Sequence, residues 1–243
     1  MNFFYKKNKS TSQESDNFYN DLIKILNFKP KNVNVYKKAF THSSVKEFTK
    51  DGKPLNYERL EFLGDTVLST IISDYLFKVA PFGDEGYLTQ MRSKIVSRNN
   101  LNKIGKDLNL IHLIKSVVRE NRFGDNIHGN VFEALIGAIY IDKGFNFCEK
   151  FVYANLIKNH IEIADLETKI SSYKSLLIEW CQKEKKVYKF EIYEDSGNDI
   201  KKHFSVKLYI DDKQISKGRD TSKKKAEEKA AKRGYYALKN QIR

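Results

Sequence analysis

Hydrophobic period changes once along this chain, and the change divides it. Almost nothing between Asn17 and Ile163 alternates apolar and polar residues with period two. Helical spacing runs instead through Asn17–Phe28, Val33–Thr41, the long apolar Tyr57–Val79, Tyr87–Leu108 with a break near Ser97–Asn100, Gly129–Lys143 and Phe145–Ile163. Pro81 with Gly83 and Gly86 stops the long segment, and Gly144 stops Gly129–Lys143. After Ala164-Asp165-Leu166-Glu167 the pattern switches. Ser171–Glu184 reads as a helix. Tyr188, Phe190 and Ile192 then alternate, and so do Phe204, Val206, Leu208 and Ile210, with Asp211-Asp212 as a hairpin turn. Lys213–Gly218 forms a third short strand, and Ser222–Leu238 an Ala/Lys-rich helix. The expected architecture is an all-α domain over 17–164, a linker at 165–169 and a small α+β domain (α-β-β-β-α) over 170–241. Residues 1–16, polar and lysine-bearing with no apolar core, read as a flexible lead-in rather than a secretory signal.

Charge follows the same division. The chain carries a formal +13, which favours polyanions, either nucleic acid or an anionic membrane surface. Thr168–Arg243 holds 20 Lys+Arg against 11 Asp+Glu, so the excess is concentrated in the α+β module. No run approaches the roughly 18 uninterrupted apolar residues of a membrane span. Cys148 and Cys181 lie far apart, outside any C-x-x-C spacing, and read as reduced buried thiols in a cytoplasmic protein.

The chemistry-bearing residues of the first domain are acidic. Glu58, Glu61 and Asp65 project from one helix within a stripe about 60° wide, while Leu60, Leu63 and Val67 occupy the opposite face. A solvated acidic face would look the same at this level. Three features favour another use: Phe62 and Leu68 flank the stripe, Gly64 sits mid-helix, and no Lys or Arg follows any of the three acids at i+3 or i+4. A mid-helix Gly costs about 1 kcal/mol against Ala and usually admits a close neighbour. Like charges hemmed in by apolar groups need a compensating cation. An all-oxygen set suits Mg²⁺, with Mn²⁺ as substitute, better than zinc. Asn130 and Glu133, three apart on another helix, could supply facing oxygens for metal-assisted phosphodiester hydrolysis. His42 has no spacing that pairs it with a nucleophile and reads as a capping or packing residue.

In the second domain Lys223-Lys224-Lys225 open the last helix. A solvated lysine run is one reading. The other is a phosphate site, because cations at a helix N-terminus oppose the dipole and local stability gives no reason for them.

The segment Asn56-Tyr57-Glu58-Arg59-Leu60-Glu61-Phe62-Leu63-Gly64-Asp65-Thr66-Val67-Leu68 resembles the signature of the ribonuclease III family. The likeness continues at Ala39–Ser43, Asp84–Thr89, Met91-Arg92 and Phe132–Gly137, and covers roughly Asn17 to Leu238. It implies a helical endonuclease domain that dimerises through Phe62, and Mg²⁺-dependent cleavage of double-stranded RNA in rRNA and mRNA processing. Products would carry 5′-phosphates, 3′-hydroxyls and short 3′ overhangs. By position it implies Asp65 and Glu133 as central catalytic carboxylates, Glu61, Asn130 and Glu133 as metal ligands, and Glu58 and Glu85 as supporting acids. The family usually has Asp where this chain has Asn130, which removes a charge from the metal site. The last third is similar to a double-stranded-RNA-binding domain. There Lys174, Leu177, Glu179 and Gln182 match the first-helix pattern, which implies RNA contacts from Lys174, Glu179, Gln182 and Lys223–Lys225. In the expected second contact loop, Gly197 to Lys202, Ile200 takes the slot usually held by His. A catalytically weak homologue acting as a double-stranded-RNA-binding or ribosome-assembly protein is the alternative that Asn130 keeps open. The unpaired carboxylates weigh against it, and the first-helix pattern disfavours a DNA-binding module.

Overall fold

A computed structural model describes residues 7–168, 172–194 and 203–242 of the chain. The chain divides into two compact units, Met1–Glu167 and Thr168–Arg243. The first is built from α1 (Lys7–Leu26), α2 (Val33–Ala39), α3 (Glu58–Val79), α4 (Glu85–Ile95), α5 (Arg98–Asp107), α6 (Ile127–Lys143), α7 (Phe145–Val152), α8 (Lys158–His160) and α9 (Ile163–Thr168). Its described residues contain isolated β-bridges but no extended strand.

Three boundaries differ from the sequence expectation. Helix α1 starts at Lys7, so residues 7–16 of the supposed lead-in continue the helix. No Gly or Pro interrupts that stretch and no apolar residue marks it, so hydrophobic periodicity carries no signal there. The expected helix Phe145–Ile163 is divided: a π-turn at Tyr153–Ile157 follows α7, and the backbone turns extended at Ile161. The stretch read as a linker is largely α9, which docks on the first unit. Leu166 is buried in its core, Lys94 Nζ donates to the Leu166 carbonyl at 2.8 Å, and the Tyr87 hydroxyl donates to Glu167 Oε1 at 2.7 Å.

Helices α3 and α6 form the centre. Helix α6 is apolar almost all round, as a helix enclosed by others must be, with Val131, Phe132, Ala134, Leu135, Ile136, Ala138 and Ile139 fully buried. Each large side chain among them contributes about 1.5–3 kcal/mol by leaving water. The two helices meet backbone to backbone. A Cβ on Gly64 would lie 1.7 Å from the Glu133 carbonyl oxygen, and one on Gly137 would lie 2.2 Å from that of Leu60. Gly64 thus has the close neighbour its position called for, and the contact runs through Glu133 itself.

The second unit comprises α10 (Tyr173–Lys183), β1 (Tyr188–Tyr193), β2 (Phe204–Ile210), β3 (Lys213–Asp220) and α11 (Lys223–Ala237). The strands form an antiparallel sheet in the order β1-β2-β3, with Phe190 opposite Leu208 and Lys207 opposite Lys217. Asp211 and Asp212 both adopt left-handed backbone (φ 48° and 60°), the geometry of a two-residue hairpin turn that follows strand twist. Leu177, Trp180 and Cys181 of α10 and Ala226 and Ala230 of α11 cover Val206, Leu208 and Ile210 of the sheet. Cys148 and Cys181 are buried free thiols. Among the described residues no helix is long and apolar enough to cross a membrane.

Candidate active site

The glycine-mediated contact brings the acidic stripe of α3 against the polar stripe of α6. Glu58, Glu61, Phe62 and Asp65 from α3 and Gly129, Asn130 and Glu133 from α6 line one cleft of about 460 Å³. Arg98, Leu101 and Asn102 of α5, with Val96 and Asn126, complete its walls. Glu133 is the most strongly perturbed acid there. Burial, then the charges of Asp65 and Glu61, push its carboxyl from the usual 4.5 up to about 8. Glu61 is also raised, by burial first and then by Glu58. Glu58 stands exposed at the start of α3, where Asn56 Oδ1 accepts from the Glu58 backbone N–H and Asn56 Nδ2 donates to Glu58 Oε2.

Burial raises the hydroxyl pKa of Tyr57 above its ordinary value, and the neighbouring Asn130 side chain acts in the opposite direction. Asn102 braces the opening of α6 by accepting from the Gly129 N–H (2.8 Å) and donating to the Asp125 carbonyl (3.1 Å). Tyr57, Arg98, Asn102 and Asn126 were not singled out from sequence as site residues. Tyr57 abuts the acidic signature and could have been suspected. The other three carry no local signal, since Arg98 and Asn102 on α5 and Asn126 ahead of α6 read as ordinary polar residues of their own segments.

One expected acid stays outside. Glu85 is exposed in the first turn of α4, accepts from Thr89 Oγ1 at 3.2 Å and does not line the cleft. Spacing placed it at a helix start, but that helix end does not face α6 within one chain. His42 behaves as expected: its Nδ1 accepts from the Ser44 N–H at 3.1 Å, capping a short 3₁₀ turn, and its ring lies against Tyr57 and Phe123. Burial lowers its pKa. Phe62 is 79% exposed on the cleft edge, a large apolar side chain facing solvent in the single chain.

Among the described residues, no three His, Cys, Asp or Glu side chains form a ready-made metal cage. The donors fit a hard cation that does not need one. Mg²⁺ keeps several waters and takes one or two carboxylates together with substrate phosphate oxygens. Glu61, Glu133 and the Asn130 amide oxygen are the cleft donors that could meet that requirement.

In the second unit Lys223, Lys224 and Lys225 are exposed at the start of α11, behind the Ser222 N-cap, and Glu179 and Gln182 are exposed on α10. Lys174 is engaged internally. Its Nζ lies 2.6 Å from Glu227 Oε2 and 5.0 Å from the Phe190 ring centroid. Ile200 and the Gly197–Lys202 loop lie outside the described residues.

A helical fold whose two central helices set carboxylates across an open cleft, followed by an α-β-β-β-α module with a lysine-tipped helix, defines a class of two-domain nucleic-acid-processing proteins. Residues 32–160 match the ribonuclease-III-like family model, and residues 173–237 match the double-stranded RNA binding motif. The chain is 57% identical over 233 residues to Ribonuclease 3 of Zunongwangia profunda, spanning 96% of each protein. It is 55% identical to Ribonuclease 3 of Flavobacterium psychrophilum, spanning 96% of this chain and 95% of that one. Among solved structures, the nuclease domain of ribonuclease III from Campylobacter jejuni superposes with a TM-score of 0.51 at 35% identity, covering 58% of this chain and 96% of the other. The chain belongs to the ribonuclease III family, whose members are generally metal-dependent.

Proposed function

We propose that the protein is an endoribonuclease that cuts double-stranded RNA by metal-assisted hydrolysis, leaving 5′-phosphates, 3′-hydroxyls and short 3′ overhangs. The observation that carries this reading is the facing acid set of α3 and α6, with the Glu133 carboxyl pushed up to about 8 in an open cleft. A structural helix pair gains nothing from such a cluster, whereas a site for a divalent cation and a phosphodiester needs it. Glu61, Glu133 and the Asn130 oxygen would hold Mg²⁺, for which Mn²⁺ would substitute. The bound cation supplies Lewis-acid charge stabilisation at the phosphate. Asp65 and Glu133 orient the attacking water and receive its proton. The water oxygen bonds to phosphorus, the P–O3′ bond breaks, and the 3′ oxygen gains a proton.

Glu179, Gln182 and the exposed lysines Lys223–Lys225 hold the duplex, the lysines adding side-chain charge to the α11 N-terminus. Lys174 contributes by bracing α10 against α11 through Glu227. The substrates are structured precursors of rRNA and mRNA in the cytoplasm. The working species is a homodimer in which Phe62 inserts into the partner copy, and Glu58 and Glu85 assist as outlying acids. For the C. jejuni nuclease domain, a region involved in dimer formation is likewise described.

The decisive assay incubates purified protein with a long RNA duplex in Mg²⁺ or in chelator and sequences the product ends. Metal-dependent cutting to short-overhang duplexes is expected. Duplex binding without cutting would favour the catalytically weak reading that Asn130 keeps open. Sedimentation at micromolar concentration should give a dimer that Phe62→Ala weakens, and a monomeric wild type would remove the dimer from this account.

A further inference from the structure

The cleft lining holds four carboxylates, Glu58, Glu61, Asp65 and Glu133, and among the described residues a single cation, Arg98. Arg98 is the first residue of α5, placed there because Ser97 turns the chain with an extended backbone (φ −61°, ψ 145°) between α4 and α5. Its side chain is exposed. It nevertheless lines the same cleft as Glu61 of α3 and Glu133 of α6, so its charge stands near both walls. It does not pair with either. Among the described residues Arg98 makes no ion pair and donates no hydrogen bond. An arginine whose task was to neutralise the acids would close onto one of them. This one keeps its planar fork of five donors unspent, at the mouth of a cleft with an excess of negative charge.

A cleft with four acids repels the phosphodiester it must admit. Beside a divalent cation, a cationic donor on the approach side would help seat that anion against the carboxylates, and a guanidinium fork matches two phosphate oxygens at once. We propose that Arg98 grips a phosphate of the RNA strand being cut and seats it against the Glu61–Glu133 wall, so that it is a substrate-contacting residue of the site. The inference rests on the ribonuclease reading above. It has a second consequence. The same positive charge lies within reach of the carboxylates that would hold a divalent cation, so it weakens their attraction for that cation. Arg98 therefore trades cation affinity for phosphate affinity, in the same direction as Asn130, which also leaves the cleft less negative than an aspartate would.

The test uses the full chain with Arg98→Ala and Arg98→Lys. Cleavage of an RNA duplex at saturating Mg²⁺ is measured beside Mn²⁺ binding by calorimetry on protein without RNA. Arg98→Ala is expected to lose about 10- to 100-fold in kcat/KM while binding Mn²⁺ several-fold more tightly. Arg98→Lys, a point charge without the fork, is expected to fall between wild type and Ala in cleavage and to keep wild-type Mn²⁺ affinity. Slower cutting with tighter Mn²⁺ binding is a signature that a merely structural defect does not produce, because a damaged cleft binds the cation less well. Wild-type cleavage by Arg98→Ala would overturn the proposal, and so would slower cleavage with Mn²⁺ binding unchanged or weakened. A wild-type protein that cuts no duplex would fail earlier, at the ribonuclease reading itself.

Discussion

Glu133 in the helical unit has its carboxyl pushed up to about 8 by burial and by Asp65 and Glu61, whereas Asp220 in the second unit is pulled down to about 2 by hydrogen bonds from Lys229 and the Thr221 N–H. Asp211 is lowered in the same manner by the Val187 N–H and by Lys186. In the small unit, acids are matched with donors, and its buried Glu227 is matched with Lys174. In the large unit Glu61, Asp65 and Glu133 are gathered in the cleft without an ion-pair partner among the described residues, and the fold carries their repulsion. The contrast separates charge that stabilises a turn or a helix pair from charge held in reserve for a ligand.

The largest expected effect removes the reserved charge. Glu133→Gln and Asp65→Asn should each lower duplex cleavage by at least about 10²-fold, while RNA binding, measured by gel shift in chelator, stays near wild type because the second unit supplies it. Near-normal cutting by either variant would show that the acids of α3 and α6 are not the reactive set.

Next comes the contact that assembles them. Gly64→Ala drives a methyl group into the Glu133 carbonyl, so α3 and α6 must separate. The expected cost is about 3 kcal/mol or more, seen as a melting temperature lower by roughly 6–12 °C, together with loss of cutting. An unchanged melt would mean that the helices do not cross at this glycine.

Smaller is the pH dependence of the metal-free protein. A carboxyl whose folded pKa lies above its unfolded value favours the fold at low pH, and that advantage is lost as pH rises through the folded pKa. For Glu133 the loss runs from about pH 4.5 to about 8. In chelator, the melting temperature should fall across that window, and Glu133→Gln should flatten the fall. A variant with the wild-type slope would relocate the titrating group. Smallest is Asn130→Asp. It restores a carboxylate to the cleft and should lower the Mg²⁺ concentration for half-maximal cutting a few-fold, while making the metal-free protein less stable. An unchanged or raised requirement would reduce Asn130 to a neighbour of Tyr57.

What could be read from the chain alone follows from the fact that periodicity reports each segment's own faces. The all-α first unit, the α-β-β-β-α second unit, the Asp211-Asp212 turn and the shared stripe of Glu58, Glu61 and Asp65 are all local patterns, repeating every 3.6 or two residues. The spacing of Asn130 and Glu133 on another helix suggested a facing pair, and the resemblance added the roles of the individual residues. Which faces meet is a different kind of information, because it depends on contacts between residues far apart in the chain. Gly64 against Glu133 and Gly137 against Leu60 decide that the two polar stripes share a cleft. The turn at Ser97 decides that Arg98 joins them, and the direction of α4 leaves Glu85 outside. Lys174 belongs to the same class: its position in the chain suggests an RNA contact, but the packing of α10 on α11 sets its ammonium against Glu227. A side chain's type and face are written locally, whereas its partner is whatever packing brings within about 4 Å, and that only the folded chain determines.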